Sequence, residues 1–232
     1  MRFLIWDLWG DYAHFRKYYT TSSPLTFAFP PRPTLAGIVG ALLGLQKDEY
    51  PRILSGSEAT YAVRIMEPIK KTRLAVNYIN TKEAIDMSKI KTRSQVRLEL
   101  VKNPCYRIYF SHMDYSIYQL ALQMLGKGKT YYTLSLGLSE LLAFYRFVGE
   151  EEGEKITSSS FVEIKSVLPL REDLEIEFES EKEYMKDTMP VLQNSERIVE
   201  KYNRIIFERQ GKPIKAKVNS YWRVGDEQIV VL

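Results

Sequence analysis

Apolar positions along residues 1–149 follow the strand period in some stretches and the helix period in others. Residues 2–9 are rich in aromatic and branched side chains, which predicts a strand. Residues 33–45 have apolar side chains at helical spacing and no charged side chain, which predicts a buried helix with Pro33 in its first turn. The other predicted elements are strands at 59–69, 106–110 and 141–148 and a helix from Asp114 to about Leu125, ended by Gly126 and Gly128.

The order of these elements is β-α-β-β-α-β once residues 70–102 are set aside as an insertion. This order is the ferredoxin-like arrangement, an α+β fold that is shared with RNA-recognition modules. Strand patterns continue after Glu150, at 161–170, 202–209, 214–218 and 228–232. We therefore predict a first domain over 1–149 and a small β-rich C-terminal appendage over 150–232.

The predicted first helix carries a stripe of small residues, Gly37, Gly40, Ala41 and Gly44. Each glycine in a helix costs about 1 kcal/mol relative to alanine. We expect these glycines to be tolerated because another stretch of backbone packs closely against them.

The composition is that of an ordinary soluble globular protein, with 45% hydrophobic and 27% charged residues among 232. A single cysteine, Cys105, excludes an intrachain disulfide and a cysteine-based zinc site. The only histidines are His14 and His112, so no metal site and no cofactor are expected. Neither a secretory signal nor an apolar run of membrane-spanning length is found, which predicts a cytoplasmic protein without a membrane partner.

The formal net charge of +4 conceals two segments of opposite sign. Residues 70–107 contain ten Lys or Arg and three Asp or Glu, whereas residues 150–187 contain five and thirteen. One basic and one acidic segment favour two different partners over one uniform surface.

The basic insertion has the alternating pattern of a hairpin. Charged and apolar residues alternate between Lys89 and Val101, so a strand would place them on opposite faces. Cations along extended backbone match a row of phosphates, and a tyrosine in the earlier arm could stack on a base. The candidate RNA contacts here are Lys70, Lys71, Arg73, Tyr78, Lys91, Arg93, Gln95 and Arg97. We expect the hairpin to contribute little to the core; the alternative is a solvated edge protected by lysines.

Two loops complete the set of candidate contacts. The loop over residues 10–32 is long for a compact domain, and such loops are usually functional. The segment 127–140 joins a helix to a strand with glycines, hydroxyls and lysines that could bind phosphate, although an ordinary helix-to-strand turn is the alternative. The candidates are Tyr12, His14, Arg16, Lys17 and Arg32 in the first loop and Lys127, Lys129, Tyr131, Tyr132, Ser135 and Gly137 in the second.

Several of these stretches together resemble one known family. They are residues 10–17, 29–44, 93–95, 103–109 and 131–140, which span most of residues 1–145. They resemble the Cas-five family of the RAMP superfamily, the subunit of type I CRISPR surveillance complexes (Cascade) that holds the 5′ handle of the guide RNA. The similarity is to the type I-B branch in particular, and it is weaker over residues 150–232.

The resemblance implies a CRISPR-associated RNA-binding protein of antiviral defence. It implies an RNA-recognition core with an inserted hairpin thumb at 70–102 and a glycine-rich loop at 127–140. The implied partners are the 5′ handle of crRNA, the Cascade backbone subunit through the thumb, the large subunit elsewhere, and target DNA through the assembled complex. Because residues 105–110 lack the usual aromatic pattern of RNA-recognition modules, the sheet face is not expected to bind RNA in the usual way.

An enzyme is the alternative from another class. One branch of the family (type I-C) is implied to cut its own precursor RNA without metal, using a Tyr, a Lys and a His. In this sequence Ser111 precedes His112, so the Lys-His pair is missing. His14, flanked by Tyr12, Arg16 and Lys17, is the remaining candidate base for a metal-independent endoribonuclease. We expect binding without catalysis; a purely structural interaction protein is a third possibility.

Overall fold

A computed structural model describes residues 1–20, 22–79 and 93–232. In these ranges the protein has three helices and fifteen strands, which form four sheets. The helices are α1 (Arg32–Leu43), α2 (Tyr50–Leu54) and α3 (Tyr115–Gly126). The strands are β1 (Arg2–Trp9), β2 (Tyr12–Ala13), β3 (Ala59–Ile65), β4 (Lys70–Ile79), β5 (Arg93–Lys102), β6 (Cys105–His112), β7 (Phe144–Thr157), β8 (Phe161–Ile164), β9 (Leu168–Pro169), β10 (Glu175–Ile176), β11 (Tyr184–Gln193), β12 (Val199–Glu208), β13 (Ile214–Lys217), β14 (Ser220–Val224) and β15 (Glu227–Ile229).

The largest sheet has the strand order β15-β14-β7-β1-β6-β3, and every adjacent pair is antiparallel. β1, confirmed over its predicted residues, lies inside this sheet. Its side chains alternate, as the period of a strand requires. Leu4, Trp6 and Leu8 belong to the main core, which also contains the buried residues of α1 and α3, while Phe3 and Ile5 lie in a second cluster on the opposite face.

The opposite face of the sheet is covered by the chain itself. β7 extends beyond its predicted end, and β14 pairs with its second half. Trp222 of β14 packs edge-on against Phe3 with 5.5 Å between ring centroids, and Val224 and Ile229 join the same cluster. The face that RNA-recognition modules expose is therefore closed by protein in this chain.

A network of ion pairs extends this closure. The Asp7 carboxylate accepts hydrogen bonds from Arg107 at 2.8 Å and Arg146 at 2.8 Å. Glu227 of β15 pairs with Arg64 at 2.6 Å and with Arg107 at 3.2 Å, which ties β15 to β3 and β6. Burial alone would raise the pKa of Asp7, but the two arginines hold it below its usual range. Asp7 is thus a charged link between strands of this sheet.

The C-terminal region is rich in strands, as predicted, although the sequence pattern missed β10, β11 and β14. β11 and β12 do not stand apart, because Met189, Val191, Ile205 and Phe207 are buried in the main core. The predicted domain boundary at 149–150 falls inside β7. The division into two domains stays a prediction.

The first helix was predicted well, since α1 begins one residue early and ends at Leu43 before Gly44 in left-handed conformation. The explanation offered for its glycines was wrong. A Cβ at Gly40 would lie 2.8 Å from the Tyr50 side chain, and one at Gly44 would lie 2.5 Å from the Tyr131 ring. Aromatic side chains, not a second backbone, lie against this stripe.

The remaining two helices, α2 and α3, are partly exposed. Asp114 caps α3 as predicted, because its carboxylate accepts a hydrogen bond from the Ser116 backbone N–H at 2.8 Å. α2 was not predicted. Of the helices in the described ranges, none combines the length and the apolar character that crossing a bilayer requires.

Candidate nucleic-acid interface

The insertion forms the predicted hairpin, hereafter the thumb (residues 70–102). β4 and β5 pair antiparallel from Lys70 opposite Lys102 to Ile79 opposite Arg93. Lys91 lies outside the described residues, so its predicted contact stays a prediction.

The two faces of the thumb differ in chemistry. Residues directly opposite each other in an antiparallel pair share a face. One face therefore carries most of the predicted cations and amides, namely Lys71, Arg73, Asn77, Arg93, Gln95 and Arg97. Tyr78 and Lys70 lie on the other face, which is apolar through Leu74, Val76 and Leu98. The cations and the stacking tyrosine thus do not form one continuous ladder.

The base of the thumb packs into the protein, contrary to expectation. Leu98, Leu100 and Val101 are buried, and Val101 belongs to the main core. The reason is that β2 pairs with β5 at Val101 and Lys102, which holds this end of the thumb against the domain. Only the outer part of the hairpin extends away from the core.

Glu99 ties the thumb to the long loop that follows β2. Its carboxylate accepts hydrogen bonds from the Lys71 ammonium at 3.0 Å and from the Thr26 backbone N–H at 3.2 Å. Lys71 also donates to the Thr26 carbonyl at 2.6 Å. Lys71, predicted as an RNA contact, is therefore already engaged within the protein, while Arg73 is exposed.

The glycine-rich loop (residues 127–140) begins by covering the end of α1. The backbone N–H groups of Tyr131 and Tyr132 donate to the carbonyls of Leu42 and Ala41 at 3.1 and 2.9 Å. These carbonyls belong to the last turn of α1, which has no intrahelical donors for them. Both tyrosine rings stay exposed, 67% and 42%, and pack edge-on with 4.8 Å between centroids. Two aromatic faces are thus presented to solvent on a fixed backbone.

At Gly137 the glycine-rich loop packs directly against the backbone of His14, the residue that follows β2. The backbone φ of Gly137 is +103°, and a Cβ there would lie 1.9 Å from the His14 carbonyl oxygen. The His14 backbone N–H donates to the Leu136 carbonyl at 2.9 Å on the same crossing. Only glycine combines this conformation with this close approach.

His14 links the thumb to the glycine-rich loop. Its side chain is 3% exposed, and Nδ1 lies 2.7 Å from the Glu99 carbonyl oxygen. A carbonyl oxygen only accepts hydrogen bonds, so Nδ1 carries the proton. Burial lowers the pKa of His14, which favours the neutral ring at pH 7. His14 is therefore a neutral link between the loop and β5.

These contacts enclose a cavity of about 360 Å³, hereafter the groove. Its walls bring together three segments that the sequence identified separately: the loop after β2, the thumb and the glycine-rich loop. The lining residues are His14, Phe15, Arg16, Pro24, Thr34, Tyr78, Leu98, Gly137 and Leu138. A cavity of this size, lined by both polar and apolar groups, lies within the range of ligand-binding sites.

Arg32, predicted as an RNA contact, lies elsewhere. Its guanidinium donates to four backbone carbonyls at 2.6–3.1 Å, and it lies over the Tyr61 ring. The acceptors are Ser55, Gly56, Ala59 and Val191. Burial lowers the pKa of Arg32. Its terminal N–H groups are used inside the protein, so Arg32 joins α1 to α2, β3 and β11.

Lys17 is likewise directed into the protein. Its ammonium pairs with Asp187 of β11, with both side chains largely shielded from solvent. Burial alone would lower the pKa of Lys17, but the bond to Asp187 raises it above its usual value. The acidic segment, residues 150–187, therefore supplies the partner of Lys17 from within the same chain.

Of the remaining predicted contacts, Arg16 lines the groove. Arg16 is exposed and donates to the Thr20 carbonyl at 3.1 Å. Tyr12 is half-buried on β2. Lys127 and Lys129 are exposed after α3. Ser135 lies beside Thr133 in a neighbouring cavity, not in the groove.

A comparison with known protein families identifies the family of this chain. Residues 3–201 match the family described as CRISPR-associated protein (Cas_Cas5), which is most of the chain. The chain belongs to the Cas5 family. No curated protein sequence matches it.

Two solved structures share the fold of this Cas5-family protein. One is a CRISPR protein from Archaeoglobus fulgidus, with a TM-score of 0.61 and 13% identity over 100% of this chain and 98% of that chain. The other is a chain of a CRISPR RNA-guided surveillance complex, with a TM-score of 0.52 and 13% identity over 91% of each chain. At such identity the similarity establishes the fold.

The sequence missed several residues that line the groove of this Cas5-family protein. Pro24, Thr34 and Leu138 carry no charge and no aromatic ring that would mark them as candidates. Among these residues, Thr34 was the easiest to identify from the sequence, because it directly follows Pro33 at the start of a predicted helix. Leu98 belonged to the apolar set of the thumb, whose burial was not foreseen.

The second histidine lies at the far end of the sheet. His112 Nε2 donates to the Ile53 carbonyl at 3.0 Å, and Nδ1 accepts from the Asp114 backbone N–H at 3.0 Å. Both ring nitrogens are therefore used by backbone groups. Within the described residues, no group of three or more His, Cys, Asp or Glu side chains is arranged to hold a metal ion.

Proposed function

We propose that this Cas5-family protein is a subunit of a CRISPR effector complex that binds the 5′ handle of crRNA in the groove. The observation that carries the proposal is the groove itself, where the thumb, the loop after β2 and the glycine-rich loop meet. A strand of RNA lying there would contact residues from all three segments.

The residues around the groove suit single-stranded RNA. Arg16 lines the groove, is exposed and can contact a phosphate. Arg73, Arg93 and Arg97 are exposed on the opposite face of the thumb and can contact phosphates of RNA that continues beyond the groove. Phosphate contacts fix the position of the strand without reading its sequence. Tyr78 is 42% exposed on the groove side of the thumb and can stack on a base.

The fold supports the family arrangement that this function requires. The strand order β7-β1-β6-β3, with two helices on one face, supports our proposal of a ferredoxin-like core. In the proposed complex the thumb contacts the backbone subunit, another surface contacts the large subunit, and target DNA is met through the assembly. A cytoplasmic type I-B complex is the proposed setting.

Binding is expected to depend strongly on salt. If four or five phosphates are contacted, the logarithm of the association constant for repeat RNA should fall with the logarithm of salt concentration at a slope of about −3. Fluorescence anisotropy of labelled repeat RNA from 50 to 300 mM salt would measure it, with DNA of the same sequence for comparison. A slope near zero would exclude phosphate-dominated binding.

We also propose that the protein does not cleave RNA. Metal-free cleavage needs a base near the 2′-hydroxyl, and His14 and His112 are both held by backbone groups at separate ends of the sheet. Labelled repeat RNA should stay intact with purified protein in EDTA and in Mg²⁺. Specific cleavage that disappears in His14→Ala or His112→Ala would establish the endoribonuclease instead.

A further inference from the structure

A second cavity of about 330 Å³ opens beside the groove, hereafter the side pocket. The groove and the side pocket share Thr34 and Gly137 as lining residues. One wall is the small-residue face of α1, and another is the glycine-rich loop. The third wall comes from the turn between β11 and β12, which supplies Gln193 and Arg197. A strand in the groove therefore passes the mouth of this pocket.

The turn that supplies Arg197 is fixed by Asn194. The Asn194 side-chain oxygen accepts hydrogen bonds from the backbone N–H groups of Glu196 and Ile198 at 3.0 and 2.9 Å. Arg197 itself has a φ of +64°, which is uncommon for a residue other than glycine. Its guanidinium lies 5.4 Å from the centroid of the Tyr50 ring. The arginine is therefore held against a wall of the pocket while remaining exposed.

The chemistry of the side pocket suits a nucleotide. Hydroxyl groups of Thr34, Thr133 and Ser135 line it, and the Gln193 amide lies 3.5 Å from the Tyr50 hydroxyl. No Asp or Glu is found among the described residues that line it, so nothing there repels a phosphate. Hydroxyls, an amide and an arginine plane are groups that recognise single-stranded RNA bases turned out of their stack.

We propose that the side pocket receives one nucleotide of the bound RNA, turned out from the strand in the groove and held by Arg197 and Gln193. This proposal rests on the proposed function. The volume lies at the lower end of the range for ligand pockets, which fits a single nucleotide. No sequence pattern indicated this pocket, because Arg197 comes from the C-terminal region, where the resemblance to the family is weakest.

The test uses the full chain and repeat RNA in which each handle position in turn is replaced by 2-aminopurine, whose fluorescence rises on unstacking. One position should brighten when the protein binds. Arg197→Asn removes the guanidinium but keeps a residue that tolerates left-handed backbone. We expect it to abolish the brightening and to weaken binding about tenfold, with an unchanged melting temperature. Gln193→Ala should reduce the brightening at the same position.

Arg223→Ala is the matched control, because Arg223 is an exposed arginine of β14 that pairs with Glu154 of β7. It should bind and brighten like wild type. If RNA binds but no position brightens, or if Arg197→Asn behaves like wild type, the side pocket is not a nucleotide site while the proposed function stands. If wild-type protein fails to bind repeat RNA at all, both proposals are overturned.

Discussion

Gly137→Ala should lower the melting temperature by about 10 °C, corresponding to roughly 3 kcal/mol for a chain of this size. The added methyl group would lie 1.9 Å from the His14 carbonyl oxygen, and φ is +103°. The loop and the residue after β2 must then separate, which distorts the wall of the groove. RNA affinity should fall with stability. Thermal unfolding and anisotropy titrations would measure both.

Gly128→Ala provides the matched control for this prediction. Gly128 also has a positive φ, +63°, but a Cβ there would meet no atom within 4 Å. Its expected cost is only that of left-handed backbone, about 1 kcal/mol, or a few degrees in melting temperature. Equal effects of the two substitutions would mean that the crossing at His14 does not hold the loop.

Shortening the thumb should separate folding from assembly. Replacing residues 75–97 with a short glycine–serine turn keeps the buried base at Leu98, Leu100 and Val101 and removes five Lys or Arg. The core should remain folded, because a flexible loop has a small closure cost. Repeat-RNA affinity should fall at least about tenfold at 150 mM salt, and the protein should fail to copurify with its neighbouring complex subunits.

A charge-only variant separates the cations of the thumb from its shape. Arg93→Gln combined with Arg97→Gln leaves the hairpin in place and should make the salt slope shallower by about 1 to 2. Copurification with the complex should persist in this variant. A shortened protein that assembles and retains guide RNA like wild type would show that the thumb does not seat the subunit.

Local patterns predicted much of this fold. β1, α1, the cap of α3 and the two arms of the thumb each rest on residues that are close in sequence, so periodicity and capping chemistry were sufficient. The alternation in β5 also separated the charged positions from Leu98 and Leu100. The alternation did not predict whether the apolar face of β5 would be exposed to solvent or buried in the core.

Contacts between distant residues explain what the sequence could not predict. Arg32 looked like a surface cation in a basic loop, but its acceptors lie 23 to 159 positions away. Lys17 meets Asp187 across 170 positions. The side chains lying on the α1 glycines, Tyr50 and Tyr131, come from two different later segments. Such contacts depend on how helices and strands pack against each other, and the local periodicity of the sequence does not predict them.

The position of β1 inside its sheet has a consequence for how the chain folds during synthesis. Asp7 meets Arg107 100 positions later and Arg146 139 positions later. At 5–20 residues per second, these partners emerge from the ribosome roughly 5 to 28 s after β1. Contacts of such long range also form slowly once available. The first strand to be made is therefore covered on both faces only after β14 and β15 have been synthesised.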